Sequence, residues 1–271
     1  MAPHGNRRAT VVTRIGFGTA TLRPDPARER GWELLVDGVP QSYVDLGDPT
    51  FLEYEYVRRL GSVLRLAAPA SVPMRVLHLG GGGLTLPRLV SATRPGSAQK
   101  VVERDGELVA LVTRLLPLAA PVEVVVGDAR AELEREKPEG YDVIVADVFD
   151  GARIPASVAG VGFASAAARA LRPGGLLAMN LTDMLPLAYS RVQVATLGRA
   201  FADVCLIGGG AMFRGWRAGN IVLVAGRAPG DLPVRALALA AAGDPDPGRV
   251  VHGADLAGFT AGALARLDEP A

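Results

Sequence analysis

Residues 76–90 read VLHLGGGGLTLPRLV. An apolar run over 75–79 stops at four consecutive glycines, Gly80, Gly81, Gly82 and Gly83, and a helix-like segment over 86–91 comes next. Strand, glycine turn and helix together open a doubly wound nucleotide-binding sheet. Glycine lets the chain turn sharply and lets a ligand come where a Cβ would collide. The next strand, 100–103, ends in Glu103, about twenty residues past the first glycine, where this fold keeps the acid that holds ribose hydroxyls. The reading is an adenosine-type ligand with the chemistry left open. The strict dinucleotide pattern is not met, because G-x-G-x-x-G counted from Gly80 places Gly82 second and Thr85 third. A glycine-rich turn without a ligand is the alternative.

A chain of 271 residues suffices for one large α/β domain with an appendage. With 49% hydrophobic and 21% charged residues, a folded globular protein is expected rather than disorder. Lys and Arg total 29 against 28 Asp and Glu, and no basic block stands out, so no nucleic-acid partner is expected. The single cysteine, Cys205, excludes an internal disulfide and a Cys-rich metal site; its apolar surroundings predict a buried strand residue. His4, His78 and His252 are too scattered to predict a metal cluster, and His78 reads as a packed core histidine. No apolar run approaches the roughly 18 residues a membrane span needs. The opening MAPHGNRRAT lacks the apolar stretch of a signal peptide, so a cytoplasmic protein without a membrane partner is expected.

The pattern divides the chain at 1–72, 73–228 and 229–271. In the first part, runs over 32–36 and 39–43 flank Asp37-Gly38, a strong two-residue hairpin signal, and 19–22 supplies a further strand. After Pro49, apolar residues at helical spacing (Phe51, Tyr54, Val57, Leu60, Leu64) predict a helix over 50–66. From residue 75 strands and helices alternate, which predicts a mostly parallel Rossmann-like sheet with an N-terminal β-hairpin element. Further strands are expected at 122–126, 142–146 and 176–180, with 204–207 and 220–225 forming an antiparallel edge. Helices are expected at 106–115, 129–136, 162–171 and 188–201. The run Arg172-Pro173-Gly174-Gly175 reads as a helix stop and turn. Residues 234–242 have a helical pattern, and the chain beyond Pro229 reads as a surface tail.

Ligands of open α/β sheets bind outside the carboxyl ends of the strands. That rule gathers the glycines, Glu103, Asp128, Asp147, Asp150 and Asn180 in one place. Asp128 suits either an adenine amino group or the N-cap of the helix that begins after it. Asp147 and Asp150, in ADVFDG, are close enough to repel, which predicts a raised pKa for at least one. Such a pair suits deprotonating an ammonium nucleophile or holding a cationic substrate. A turn acid with a capping acid is the plainer reading. Asp142 reads as a turn residue far from the crevice.

Together these residues resemble the spermidine synthase (polyamine aminopropyltransferase) family from about residue 32 to 225. The resemblance implies a class I S-adenosylmethionine-dependent methyltransferase-like fold and a transferase. Its reaction would move an aminopropyl group from decarboxylated S-adenosylmethionine to an amine in polyamine biosynthesis. That donor acts as a co-substrate, with no tightly bound cofactor. LLVDGVPQSY resembles the family's strand–Asp-Gly–strand–Gln segment and places Gln41 near the substrate. FLEYEY resembles the helix carrying the family's Tyr-His-Glu gate, here Glu53-Tyr54-Glu55, with Tyr54 at the substrate. By the same resemblance Glu103 binds ribose, Asp128 contacts adenine, Asp147 is the catalytic base and Asp150 binds the amine. Asn180 stands where the family carries Gln near the amine, and Trp216 for an aromatic of the amine groove. A homodimer or tetramer through the hairpin region is also implied. The family's glycine loop carries an aspartate that holds the donor's amino group, and Gly83 takes its position here. An enzyme using intact S-adenosylmethionine as a methyltransferase, or a non-catalytic nucleoside-binding homologue, are the alternatives.

Overall fold

The computed structural model describes residues 8–151, 153–213 and 218–268. The chain opens with four antiparallel strands, β1 (Val11–Ile15), β2 (Gly18–Pro24), β3 (Gly31–Val36) and β4 (Val39–Asp45), in that spatial order. Between β3 and β4, Asp37 and Gly38 have φ of 49° and 79°, the pair of positive values that a two-residue type I′ hairpin turn requires. The predicted hairpin is therefore present. It sits in a larger sheet to which β1 adds a strand that the pattern did not single out.

Helix α1 (Glu55–Leu66) begins five residues after the predicted start at 50. Asp48 accounts for the delay. Its Oδ1 accepts hydrogen bonds from the Thr50 N–H (3.0 Å) and hydroxyl (2.6 Å), and its carbonyl accepts from Phe51 N–H at 3.1 Å. These local bonds hold a turn in competition with the helix. Phe51 instead packs edge-on to Tyr43, ring centroids 5.6 Å apart, beneath the Arg28 guanidinium.

The alternating part continues as β5 (Arg75–Leu79), α2 (Thr85–Thr93), β6 (Ala98–Glu103), α3 (Gly106–Leu115), β7 (Glu123–Val126), α4 (Ala129–Arg135), β8 (Tyr141–Ala146), α5 (Val161–Ala170), β9 (Leu171–Asp183), α6 (Ala188–Leu197), β10 (Asp203–Gly209), the single turn α7 (Gly210–Phe213) and β11 (Gly219–Gly226). Pairings from β7 through β6, β5 and β8 to β9 are parallel, while β11 and β10 continue the sheet antiparallel. The fold is α/β, as predicted. The Arg172–Gly175 run lies within the bounds of β9 as an irregularity. Tyr141 faces Leu171 but Val143 faces Leu176, so the intervening residues loop out, with Gly174 at φ 73°.

The C-terminal stretch is not a surface tail. It forms α8 (Val234–Ala242), β12 (Gly248–His252) and α9 (Gly253–Thr260), and β12 pairs antiparallel with β10 as the sheet's outer strand. Hydrophobic residues alternate scarcely at all in RVVH, so the period that identifies strands is missing there.

Two apolar layers sandwich the sheet. Leu77, Leu79, Ile144 and Ala146 pack with Phe163 of α5, while Val76, Val143 and Val145 pack with Leu60 and Leu64 of α1. A third cluster joins the N-terminal sheet to the main one through Leu22, Leu34 and Val44 against Leu108, Leu111 and Val112 of α3. Strand order reverses at β5, with β6 on one side and β8 on the other, and a crevice is expected beyond their carboxyl ends.

Candidate functional site

A cleft of about 420 Å³ lies at that reversal, roofed by the N-terminal sheet. Its size falls within the range of small-molecule sites, about 300–1,000 Å³. Gly80, Gly81 and Gly82 line it; Gly83 does not. Gly80 has φ 92° and Gly82 φ 48°. A Cβ on Gly80 would collide with the Asp147 carbonyl oxygen, so this glycine permits the ends of β5 and β8 to meet.

Glu103 closes the glycine turn. Its Oε2 accepts from Gly81 N–H at 2.9 Å and Gly82 N–H at 3.3 Å, and its Oε1 from Asp105 N–H at 3.0 Å. Gly83 faces the other way, its N–H donating to the Ser42 hydroxyl of β4 at 3.0 Å. A Cβ there would lie 2.9 Å from Ser42 Cβ and 3.0 Å from Val44 Cγ2. The position at which the resemblance expects a carboxylate is thus packed against the N-terminal sheet.

Asp147 stands at the cleft floor, just past β8. Asn180, 2% exposed on β9, donates from Nδ2 to Asp147 Oδ1 at 2.8 Å, and Asn220 of β11 donates to Asn180 Oδ1 at 3.1 Å. Burial pushes the Asp147 carboxyl up to about 6, with the Asn180 amide pulling in the opposite direction. A carboxylate that titrates near neutrality is poised to take a proton. The cause is desolvation and not the predicted repulsion by Asp150. Asp150 is 68% exposed at the cleft mouth, where its Oδ1 lies 2.9 Å from Arg104 Nη2.

The remaining predicted residues divide. Gln41 lines the cleft, and its carbonyl accepts from the Tyr56 hydroxyl at 3.5 Å. Asp128 lines it too, and caps α4 by accepting from Ala131 N–H at 2.9 Å. Tyr54 does not line the cleft; it stacks on Tyr56, centroids 6.2 Å apart, and its hydroxyl donates to Glu33 Oε1 at 3.3 Å. Asn180 likewise does not line the cleft and reaches it only through Asp147. Trp216 lies outside the described residues. His78 is buried, as expected of a packed histidine, with Nε2 3.0 Å from Gln99 Oε1, and burial holds it neutral with a pKa of about 4. Cys205 is buried in β10, and its thiol is pushed up to about 12.

Sequence reasoning missed Tyr56, Ser42, Phe17 and Arg104, all of which line the cleft. Tyr56 is the residue of FLEYEY that faces Asp147. Burial and the neighbouring Asp147 and Tyr54 charges raise its phenol well above the usual range. The available signal was spacing, since Tyr56 stands four and seven residues before Leu60 and Val63, both on the buried face of α1.

No family model matches the chain. Among solved structures it is similar to a probable spermidine synthase from Corynebacterium glutamicum, with a TM-score of 0.89 and 29% identity over 97% of this chain and 98% of that one. A spermidine synthase in complex with the transition state analogue AdoDATO matches with a TM-score of 0.61 at 16% identity, over 83% of this chain and 76% of that one. The human methyltransferase-like protein 13, in complex with SAH, matches with a TM-score of 0.53 at 22% identity, over 68% of this chain and 86% of that one. The last two likenesses concern the fold alone, whereas the first runs the length of both chains. The chain is thus similar over its whole length to a probable spermidine synthase, and its fold is that of the spermidine synthases and class I methyltransferases.

Proposed function

We propose that the cleft binds an adenosyl-sulfonium co-substrate and transfers its aminopropyl group to an amine. The observation that carries this reading is Asp147, a carboxylate on the cleft floor whose pKa stands near 6 and whose orientation the Asn180 amide holds. Gly81, Gly82 and Glu103 would take the ribose, and Asp128 the adenine. Asp147 takes a proton from the acceptor's ammonium. The freed nitrogen lone pair then attacks the aminopropyl carbon bonded to sulfur. The C–N bond forms as the C–S bond breaks, its electron pair returns to sulfur, and methylthioadenosine leaves neutral. Holding both reactants in line supplies much of the acceleration. Tyr56, beside Asp147, helps wall the reacting centre.

One observation favours a second reading, an enzyme using intact S-adenosylmethionine. The acid expected to hold the decarboxylated donor's ammonium is replaced by Gly83, packed against Ser42 and Val44. Calorimetric titration with methylthioadenosine, S-adenosylhomocysteine and decarboxylated S-adenosylmethionine separates the two. Tighter binding of the decarboxylated donor, with methylthioadenosine released on adding an amine, is the expected result. Preference for S-adenosylhomocysteine together with methyl transfer would replace the first reading with the second.

A further inference from the structure

The cleft mouth carries a charge pattern that aminopropyl transfer to a simple diamine does not use. Among the described residues lining the cleft, Arg104 is the one arginine or lysine. It follows β6, whereas its partner Asp150 follows β8, so the pair bridges two lips of the crevice at 2.9 Å. The Arg104 guanidinium lies 4.1 Å over the Phe17 ring, which holds a cation in place without neutralising it. Phe17 is itself anchored, since Gly16 N–H and Phe17 N–H donate to Asp105 Oδ1 and Oδ2 at 3.2 and 3.0 Å. Asp150 is fixed through its backbone. Its N–H donates to Arg153 O at 2.7 Å, and Arg153 N–H returns to Asp150 O at 3.2 Å.

The other acids lining the cleft already accept hydrogen bonds from the backbone. Glu103 takes Gly81, Gly82 and Asp105 N–H groups, and Asp105 those of Glu107 and Leu108 besides Gly16 and Phe17. Asp128 caps α4, and Asp37 accepts from Thr19 N–H at 2.8 Å. Past Asp147, the described residues of the mouth therefore offer one cation and one anion side by side. Arg104 and Asp150 are 34% and 68% exposed, and an ion pair so open to water is weak and exchanges readily for charges on a ligand. The guanidinium fork suits a carboxylate, while the far ammonium of a diamine would meet Arg104 beside the acid meant to receive it.

We infer that the acceptor is a zwitterion, an amino acid with a primary amine at the end of its side chain. Its α-carboxylate goes to Arg104, its α-ammonium to Asp150 and its side-chain amine to Asp147. This rests on the aminopropyl-transfer reading above. Asp147 and Asp150 are three residues apart, so their Cα atoms lie at most about 11 Å from each other and one amino acid with a side-chain amine can reach both carboxylates. Proton and electron bookkeeping is unchanged. The side-chain ammonium gives its proton to Asp147, its nitrogen bonds to the aminopropyl carbon, and the C–S pair returns to sulfur.

Binding and turnover are measured separately on the full chain. In the first measurement the protein saturated with methylthioadenosine is titrated with ornithine, lysine, putrescine and cadaverine. Ornithine or lysine is expected to bind more tightly than the diamines. Arg104→Gln should weaken the amino acid roughly ten- to a hundredfold, as loss of a charged hydrogen bond does, and leave the diamines no weaker; Arg104→Lys should recover part. Tighter diamine binding, or an equal loss for both classes in Arg104→Gln, overturns the inference. In the second measurement the decarboxylated donor is added and methylthioadenosine is followed with product mass. Amino-acid binding without turnover would leave the zwitterion site standing and overturn aminopropyl transfer. Turnover confined to diamines would do the reverse.

Discussion

Asp147 joins the two properties a general base needs, a raised pKa and a fixed orientation. Only the ionised form accepts a proton, so kcat/KM, which reports the free protein's ionisations, should climb as pH rises through about 6 with this group's contribution levelling off above it. A pH–rate profile flat from 5 to 8 would remove Asp147 from that role. Asp147→Asn keeps a hydrogen-bonding partner for Asn180 and loses the base. Transfer should fall by roughly 10²–10⁴-fold, with methylthioadenosine affinity nearly unchanged. Stability should move the other way. The folded-state pKa is raised, so the proton binds the folded protein more tightly and ionisation costs stability, fully so above about 6 and not at all below the unfolded value of 3.8. The Asn variant should therefore melt a few degrees higher at pH 7.5, with the gain shrinking as pH falls from 6 to 4. An equal gain at all pH values would show that charge burial is not its source.

At the scale of elements, the glycine turn between β5 and α2 is built by its neighbours as much as by its own residues. β8 meets it at Gly80, Glu103 of β6 holds its N–H groups, and Ser42 of β4 takes Gly83. Placing an aspartate here, as the resembling family has, with Gly83→Asp should not create a donor subsite. Its Cβ would stand 2.9 Å from Ser42 Cβ, so the expected result is a loss of about 1–3 kcal/mol from overpacking, read by denaturant melts. Ser42→Gly in the same chain should recover part of it. Undiminished stability in Gly83→Asp would mean that β4 moves aside, leaving the turn free to host an acid.

For the whole molecule, the edge of the large sheet depends on residues that carry no strong strand signal. β12 covers β10 from Cys205 to Gly209, and His252 Nε2 lies 2.6 Å from Asp203 Oδ1. A chain ending at Gly243 would leave the apolar strand β10 with an unpaired edge, a template for association. It should elute as aggregate on size exclusion and melt below the full-length chain. A monodisperse product with unchanged melting would show that β12 and α9 add nothing to the fold.

Much of this arrangement is legible in single residues and local periods. Four glycines after an apolar strand, an acid some twenty residues on, the Asp37-Gly38 pair and the alternation after residue 75 depend on local backbone sterics and side-chain period. These survive in a linear reading, and they led to the α/β class, the hairpin and the strand-end acids. Where α1 begins depended on the Asp48 turn. The state of Asp147 likewise depended on its burial at the cleft floor beside Asn180 of β9, and Asp150 on the arginine next to Glu103. Those are matters of desolvation and contact between residues far apart in the chain, and they exist only once the two sheets have closed around the cleft.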